Sequence, residues 1–278
     1  MIGAVSTLVF LHAHPDDEAS QTSLTMALAV RAGHRVVVVF ATNGDHGEPA
    51  ADLPEGTSVV AYRRGEAECS ARAIGTHRVA WLGYADSGMT GWAQNDEPGS
   101  LHAADLDEAA ARLAALLDEE SADVLVTYDD HGGYGHPDHV KSHLVGHRAA
   151  ALAARRPRVL ESTLNRDYLR ELRNAAAAAA PDAAMDWDPD APGDDGRPIG
   201  SAQAEIRYRI DGRALIDVKR AALGCHASQT SDVGMMLAIP EDYFREVFGF
   251  EWLREPGRAL QDGGPIDTWF LDDPPPAA

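Results

Sequence analysis

Apolar positions along the chain follow two different rhythms. Continuous apolar, largely β-branched runs occupy 7–12, 35–41, 79–82, 124–128 and 159–164. Runs of this length without alternation are the mark of strands covered on both faces. Between them lie stretches with helical spacing: 18–32, stopped by Gly33, a segment ending near Ile74, the strongly amphipathic 105–120, and 137–154. Strands alternating with helices predict an α/β fold, a doubly wound, mostly parallel, Rossmann-like sheet with helices on both faces. We expect 1–165 to form this core and 166–278 a smaller C-terminal lobe completing the same domain. Within the lobe, 204–210 reads as a strand, 215–227 as a helix, and 242–252 as a closing helix or strand. The Pro-, Asp- and Gly-rich stretch 181–200 reads as a flexible acidic excursion without chemistry of its own.

Composition narrows the function classes. The chain has 278 residues, 45% of them hydrophobic, enough for a sizeable core. The formal net charge is −20. Such a surface repels nucleic acid and anionic membranes and suits a small neutral or cationic substrate. The lysines are Lys141 and Lys219 alone, against many arginines and alanines, a bias that speaks of genome composition. No apolar run is long enough to span a bilayer, and the first ten residues lack the basic start and cleavage site of a signal peptide. A cytoplasmic location is expected. Two cysteines allow at most one disulfide, and Cys69, inside a helical pattern, reads as a small core residue.

Chemistry concentrates where strands end. The segment His12-Ala13-His14-Pro15-Asp16-Asp17-Glu18 follows the first strand. His14 and Asp17 are spaced so that a strand-to-helix turn can aim both at one metal ion. Asp16 then lies beside them as a base for a metal-activated water. Capping of the next helix would account for the aspartates but not for His14. A second segment, 129–139, follows the fourth strand and carries Tyr134, His136, Asp138 and His139 among glycines. One of its two histidines can complete a three-ligand site. The other would remain as an acid or oxyanion partner, Asp138 could orient a histidine, and Tyr134 offers a hydroxyl. A solvated glycine loop is the bland reading, which two such clusters on one sheet edge disfavour.

His14-Pro15-Asp16-Asp17-Glu18 and His136-Pro137-Asp138-His139 resemble the two signatures of the LmbE/PIG-L family of zinc de-N-acetylases. The resemblance covers 6–150 and fades after about 165. It implies that His14, Asp17 and His139 bind one Zn2+, with Fe(II) or Co(II) suiting a similar donor set. It implies Asp16 as general base, His136 facing the oxyanion or leaving amine, and Asp138 tuning His136. Tyr134 resembles the tyrosine of the mycothiol-pathway branch that polarises the carbonyl. Arg63 and Asp86 match substrate-binding positions of that branch, although Arg63 could be a solvated helix residue and Asp86 a turn residue. Asp45 stands where the family more often has Glu. His46 and His131 receive no role; His226 could approach the site from the C-terminal lobe, a structural helix end being the favoured account, and Trp81 and Trp92 could be core or stack on a sugar face.

The expected activity is removal of an N-acyl group, acetyl foremost, from an amino sugar or glycoconjugate. Alternatives are an amidase acting on a mycothiol-type S-conjugate, a natural-product tailoring deacetylase, and a non-catalytic carbohydrate-binding protein. Nucleotide binding is disfavoured, because no glycine fingerprint or P-loop follows the first strand. The oligomeric state stays open.

Overall fold

The computed structural model describes residues 5–51, 53–179, 187–193, 195–260 and 264–273. In chain order its elements begin with β1 (Thr7–His12), a π-helical turn (Glu18–Thr22), α1 (Ser23–Arg31), β2 (Arg35–Thr42), α2 (Val59–Ile74) and β3 (Arg78–Tyr84). Then come α3 (Leu106–Glu119), β4 (Val124–Tyr128), α4 (Pro137–Leu152), β5 (Arg158–Thr163) and α5 (Arg166–Ala179). The remainder forms β6 (Tyr208–Asp211), α6 (Ile216–Cys225), α7 (Val233–Ala238), α8 (Glu241–Phe248) and β7 (Phe250–Arg254).

The strands form one sheet in the order β3-β2-β1-β4-β5-β7-β6. The first five pair in parallel, as the continuous apolar runs predict. Alternate side chains of each strand enter opposite cores. Leu8 and Phe10 pack with residues of α1, α2 and α6, including Leu24, Ile74 and Leu223. Val9 and Leu11 pack on the other face with Leu113, Val145 and Ala149 of α3 and α4. Full burial of such a side chain contributes about 1.5–3 kcal/mol. Ser58 starts α2 by accepting from the Ala61 N–H, and Gly75, at φ 91°, ends it in the left-handed conformation glycine adopts without penalty.

The order in which strands are added reverses at β1, which has β2 on one flank and β4 on the other, all three parallel. A crevice opens at the carboxyl ends of such neighbours. Both chemistry-bearing segments leave the sheet there, one after β1 and one after β4.

The C-terminal residues extend the same sheet: β7 runs antiparallel to β5 and β6 antiparallel to β7. Glu251 on β7 accepts from the Leu24 and Thr25 N–H groups at the start of α1 and pairs with buried Lys219 at 2.9 Å. That carboxylate satisfies helix-terminal donors and complements the α1 dipole. It ties the C-terminal part to the helix that follows the first motif.

Several expectations need correction. Residues 18–32 are not one regular helix, because a π-turn precedes α1, a form common at functional sites. The 204–210 segment begins as a 3-10 turn, Gln203–Glu205, and becomes strand at Tyr208. The closing segment is a helix followed by a strand. Cys69 is not a free core thiol, since it is disulfide-bonded to Cys225 with Cα atoms 5.6 Å apart, joining α2 to α6. Among the described residues no helix is long and apolar enough to cross a membrane.

Candidate metal and catalytic site

The turn after β1 lifts His14, Asp16 and Asp17 above the sheet. The loop after β4 returns through Gly132, whose φ of 62° and close approach to His139 leave no room for a side chain. Pro137 occupies the first turn of α4, where its missing N–H costs nothing, and His139 follows inside that turn.

Three atoms converge. Asp17 Oδ2 lies 3.3 Å from His14 Nδ1 and 3.3 Å from His139 Nε2. Ligands held at 2.0–2.1 Å around a tetrahedral ion stand about 3.3–3.4 Å apart, which both of these spacings to Asp17 match. His139 Nδ1 lies 3.0 Å from the Gly132 carbonyl and must donate there. Its Nε2 then carries the lone pair, and that buried atom has no hydrogen-bond partner. His14 Nε2 lies 3.2 Å from Asp138 Oδ2, which leaves the His14 Nδ1 lone pair for the cluster. Each imidazole is thus oriented by a partner on its far nitrogen, the usual support of a metal-ligating histidine. His136 could also join a donor set with His14 and His139, and Asp86 and Asp138 one with His14.

Charge points the same way. Burial would lower the His14 pKa, but Asp86, Asp138 and Asp17 hold it well above the ordinary value. Burial would raise Asp17, but His139 and His14 hold it well below the carboxylate range. Buried carboxylates gathered around imidazoles form a site that favours added positive charge, which a divalent ion supplies.

Asp16 adopts φ 110°, outside the range ordinary side chains prefer. Such a conformation costs about 1–3 kcal/mol and persists only where several contacts hold it. Here the Asp16 N–H donates to Glu18 Oε2 at 2.8 Å, and its carbonyl accepts from Ala19 and Ser20. Its carboxylate accepts from Arg63 Nη2 at 2.7 Å. Burial raises its pKa to about 6, with Arg63 opposing and Asp17 adding to the rise.

His136 packs beside the cluster, its ring 4.6 Å from that of His14 and 4.8 Å from that of His139. Its Nδ1 accepts from the Asp138 N–H, so Nε2 bears the proton of the neutral ring. Burial, then His14 and His139, push its pKa down to about 2. That direction favours the neutral ring, whose Nε2–H is a donor. Tyr134 is half-exposed, with its ring 5.0 Å from His139.

Arg63, matched by resemblance to a substrate-binding position, is 2% exposed and donates to Asp16 and to the Pro15 and Gly44 carbonyls. The Asp138 carboxylate faces His14 and accepts from the Ser87 N–H and hydroxyl, while His136 meets only its backbone N–H. Asp86 reaches the site, with Oδ1 3.5 Å from His14 Nε2, and its own N–H donates to Asp45.

Of the second layer, the sequence offered only an approach of His226 from the C-terminal lobe. Glu18 Oε1 accepts from Ser70 and lies 2.7 Å from His226 Nε2, placing α2 and the end of α6 behind Asp16. The Tyr128 hydroxyl donates to Asp17 Oδ2, and its ring stacks on His139. Glu18 stood beside the motif in the sequence, but no local pattern announces partners so far along the chain. His12 bonds Thr22 inside the sheet end, Trp81 packs on Phe40 under Arg64, and His46 is exposed.

The acidic excursion also reaches the site. Residues 181–186 and 194 lie outside the described residues. Asp195 stands 2.8 Å from His131, and the Gly200 N–H donates to the Gly133 carbonyl. Trp187, Pro192 and Arg197 wall a cavity of about 350 Å³ with Tyr134. The stretch read as an excursion without chemistry of its own thus packs against the loop that carries Tyr134.

The profile of the GlcNAc-PI de-N-acetylase family, PIG-L, matches residues 9–150. The 1D-myo-inositol 2-acetamido-2-deoxy-alpha-D-glucopyranoside deacetylase of Geodermatophilus obscurus is 36% identical over 95% of this chain and 96% of its own length. The enzyme of that name from Streptomyces griseus is 38% identical over 84% of this chain and 78% of its own. The fold is also that of N,N'-diacetylchitobiose deacetylase from Pyrococcus horikoshii, with TM-score 0.56, 22% identity, and coverage of 90% of this chain and 83% of the other. With both signatures converging at one crevice and relatives alike from end to end, the chain belongs to the PIG-L family.

Proposed function

We propose that this chain is a zinc-dependent hydrolase that removes the acetyl group from an N-acetylglucosaminyl glycoside of a cyclitol. The observation that carries the proposal is that Asp17 Oδ2 lies 3.3 Å from both His14 Nδ1 and His139 Nε2, with Asp16 next to Asp17 in the chain. The acceptor is inferred from likeness over most of the chain to relatives named 1D-myo-inositol 2-acetamido-2-deoxy-alpha-D-glucopyranoside deacetylase.

His14, Asp17 and His139 would hold the ion. When bound there, Zn2+ supplies Lewis acidity, making a water more acidic and an amide carbonyl more electrophilic. Asp16 Oδ2 is engaged by Arg63, so Oδ1 is the oxygen that takes the proton of the attacking water. The His136 Nε2–H and the Tyr134 hydroxyl donate to the carbonyl oxygen as negative charge gathers on it. A neutral imidazole gives up its remaining proton reluctantly. Asp16, carrying the water's proton, then delivers it to the leaving nitrogen. The C–N bond breaks, releasing acetate and a free amine. Asp86 would receive a sugar hydroxyl, as its matching position implies.

The test is acetate and amine release from an N-acetylglucosaminyl-inositol substrate, beside a thiol S-conjugate amide. We expect turnover of the first, its loss on chelation, and recovery with Zn2+. Preference for the S-conjugate would replace the deacetylase reading by the amidase one. Substrate binding without turnover in zinc-loaded protein would reduce the chain to a carbohydrate-binding module.

A further inference from the structure

α4 carries a second pair of histidines, His143 and His147, one turn apart. Side chains so spaced share a helix face. Both rings meet Glu161 of β5: His147 Nε2 lies 2.8 Å and His143 Nδ1 3.5 Å from Glu161 Oε1. The ring centroids are 4.5 Å apart, and one donor atom from each of the three residues falls within 4.8 Å of the others. The Glu161 side chain is 2% exposed, those of His143 and His147 15% and 31%, so the cluster is closed at the sheet and open along one edge.

Glu161 is incompletely satisfied. Its Oε2 is buried without a hydrogen bond. Arg254 Nε stands 3.4 Å away, but that guanidinium also binds Asp130 at 2.7 Å. A buried carboxylate that shares a cation with another carboxylate pays a desolvation cost that a further positive charge would offset. Two imidazoles and one carboxylate, with an open edge for water, make a donor set for zinc and neighbouring divalent first-row metals.

We propose that His143, His147 and Glu161 form a second divalent-metal site, separate from the cluster of His14, Asp17 and His139. It clamps α4 to β5 on the far side of Tyr128 from the first site. His143 Nδ1 also lies 3.0 Å from the Tyr128 carbonyl oxygen. Ligation through that nitrogen exchanges this hydrogen bond for a metal bond. The inference stands independently of the proposed reaction.

The experiment uses the full chain, stripped by a chelator and titrated with Zn2+ in competition with a chromophoric chelator. Wild type is expected to bind two ions per chain. His143→Ala/His147→Ala is expected to bind one, and His14→Ala/His139→Ala also one, held by the site proposed here. His147→Gln, at the open edge, keeps a hydrogen-bonding group toward Glu161 and is expected to weaken one ion at least tenfold while folding normally by circular dichroism. Equal ion counts and affinities for wild type, His143→Ala/His147→Ala and His147→Gln would overturn the proposal. An unchanged count in His14→Ala/His139→Ala would strike the active-site reading and leave this one standing.

Discussion

Arg63 Nη2 donates to the Asp16 carboxylate across 2.7 Å, while the same guanidinium binds the Pro15 and Gly44 carbonyls. A residue on α2 thus holds a strained residue of the β1 turn in place. Its charge also restrains the rise in the Asp16 pKa caused by burial. Asp16 must be ionised to accept a proton, so activity should rise with pH through an acidic limb. Without metal, burial pushes the Asp16 carboxyl up to about 6, and a bound dication would place the limb lower. Arg63→Ala should reduce kcat on the order of 100-fold through misplacement, with KM less affected. It should also shift the limb to higher pH. A rise in KM alone, with the limb unmoved, would return Arg63 to substrate binding.

His136 and Tyr134 are assigned as donors to the same oxygen. Each of His136→Ala and Tyr134→Phe should lower kcat, by about 10²–10³-fold for the better-aligned donor. Because His136 acts as a neutral donor, its loss should leave the basic limb of the pH profile in place. Disappearance of that limb in His136→Ala would assign it an acid's role instead.

The buried Glu18–His226 pair supports the backbone of Asp16 through the Glu18 carboxylate. Although burial opposes both shifts, His226 holds Glu18 below its ordinary value and Glu18 holds His226 above its own. The depressed Glu18 contributes stability above about pH 4.5 that is lost as pH falls through its folded value. The raised His226 contributes stability below about pH 6.5 that is lost as pH rises through its folded value. The pair is therefore fully effective between those limits. His226→Ala strands a buried carboxylate and should cost about 3–5 kcal/mol in urea unfolding at pH 6. A loss below about 1 kcal/mol would show that the pair is dispensable.

Cys69 and Cys225 join α2 to α6 across a sequence separation of 156. Their neighbours Ser70 and His226 are the residues that hold Glu18. Closing so long a loop restricts the unfolded chain, and reduction should cost on the order of 4–5 kcal/mol by that chain-entropy argument. Urea unfolding with and without dithiothreitol measures it. The link also bears on location, because a reducing cytoplasm would keep this pair as two thiols. Identical midpoints in the two conditions would remove the stabilising role.

The sequence alone determined what depends on local periodicity and local chemistry. Runs such as 35–41 can satisfy their apolar side chains only as strands covered on both faces, and the strand–helix alternation follows from them. His14 with Asp17, and His136 with His139, are legible because each pair is spaced within one turn. Tertiary structure decided what depends on which distant residues meet. The order of strands about β1 brings the two motifs to one crevice. It turns Asp138 toward His14, buries Arg63 against Asp16, and seats Glu18 between α2 and α6. The Cys69–Cys225 link and the antiparallel β7 and β6 likewise join segments far apart in the chain. Such contacts are selected by packing of the whole sheet and its two cores, and hydrophobic spacing within one segment carries no record of its partners.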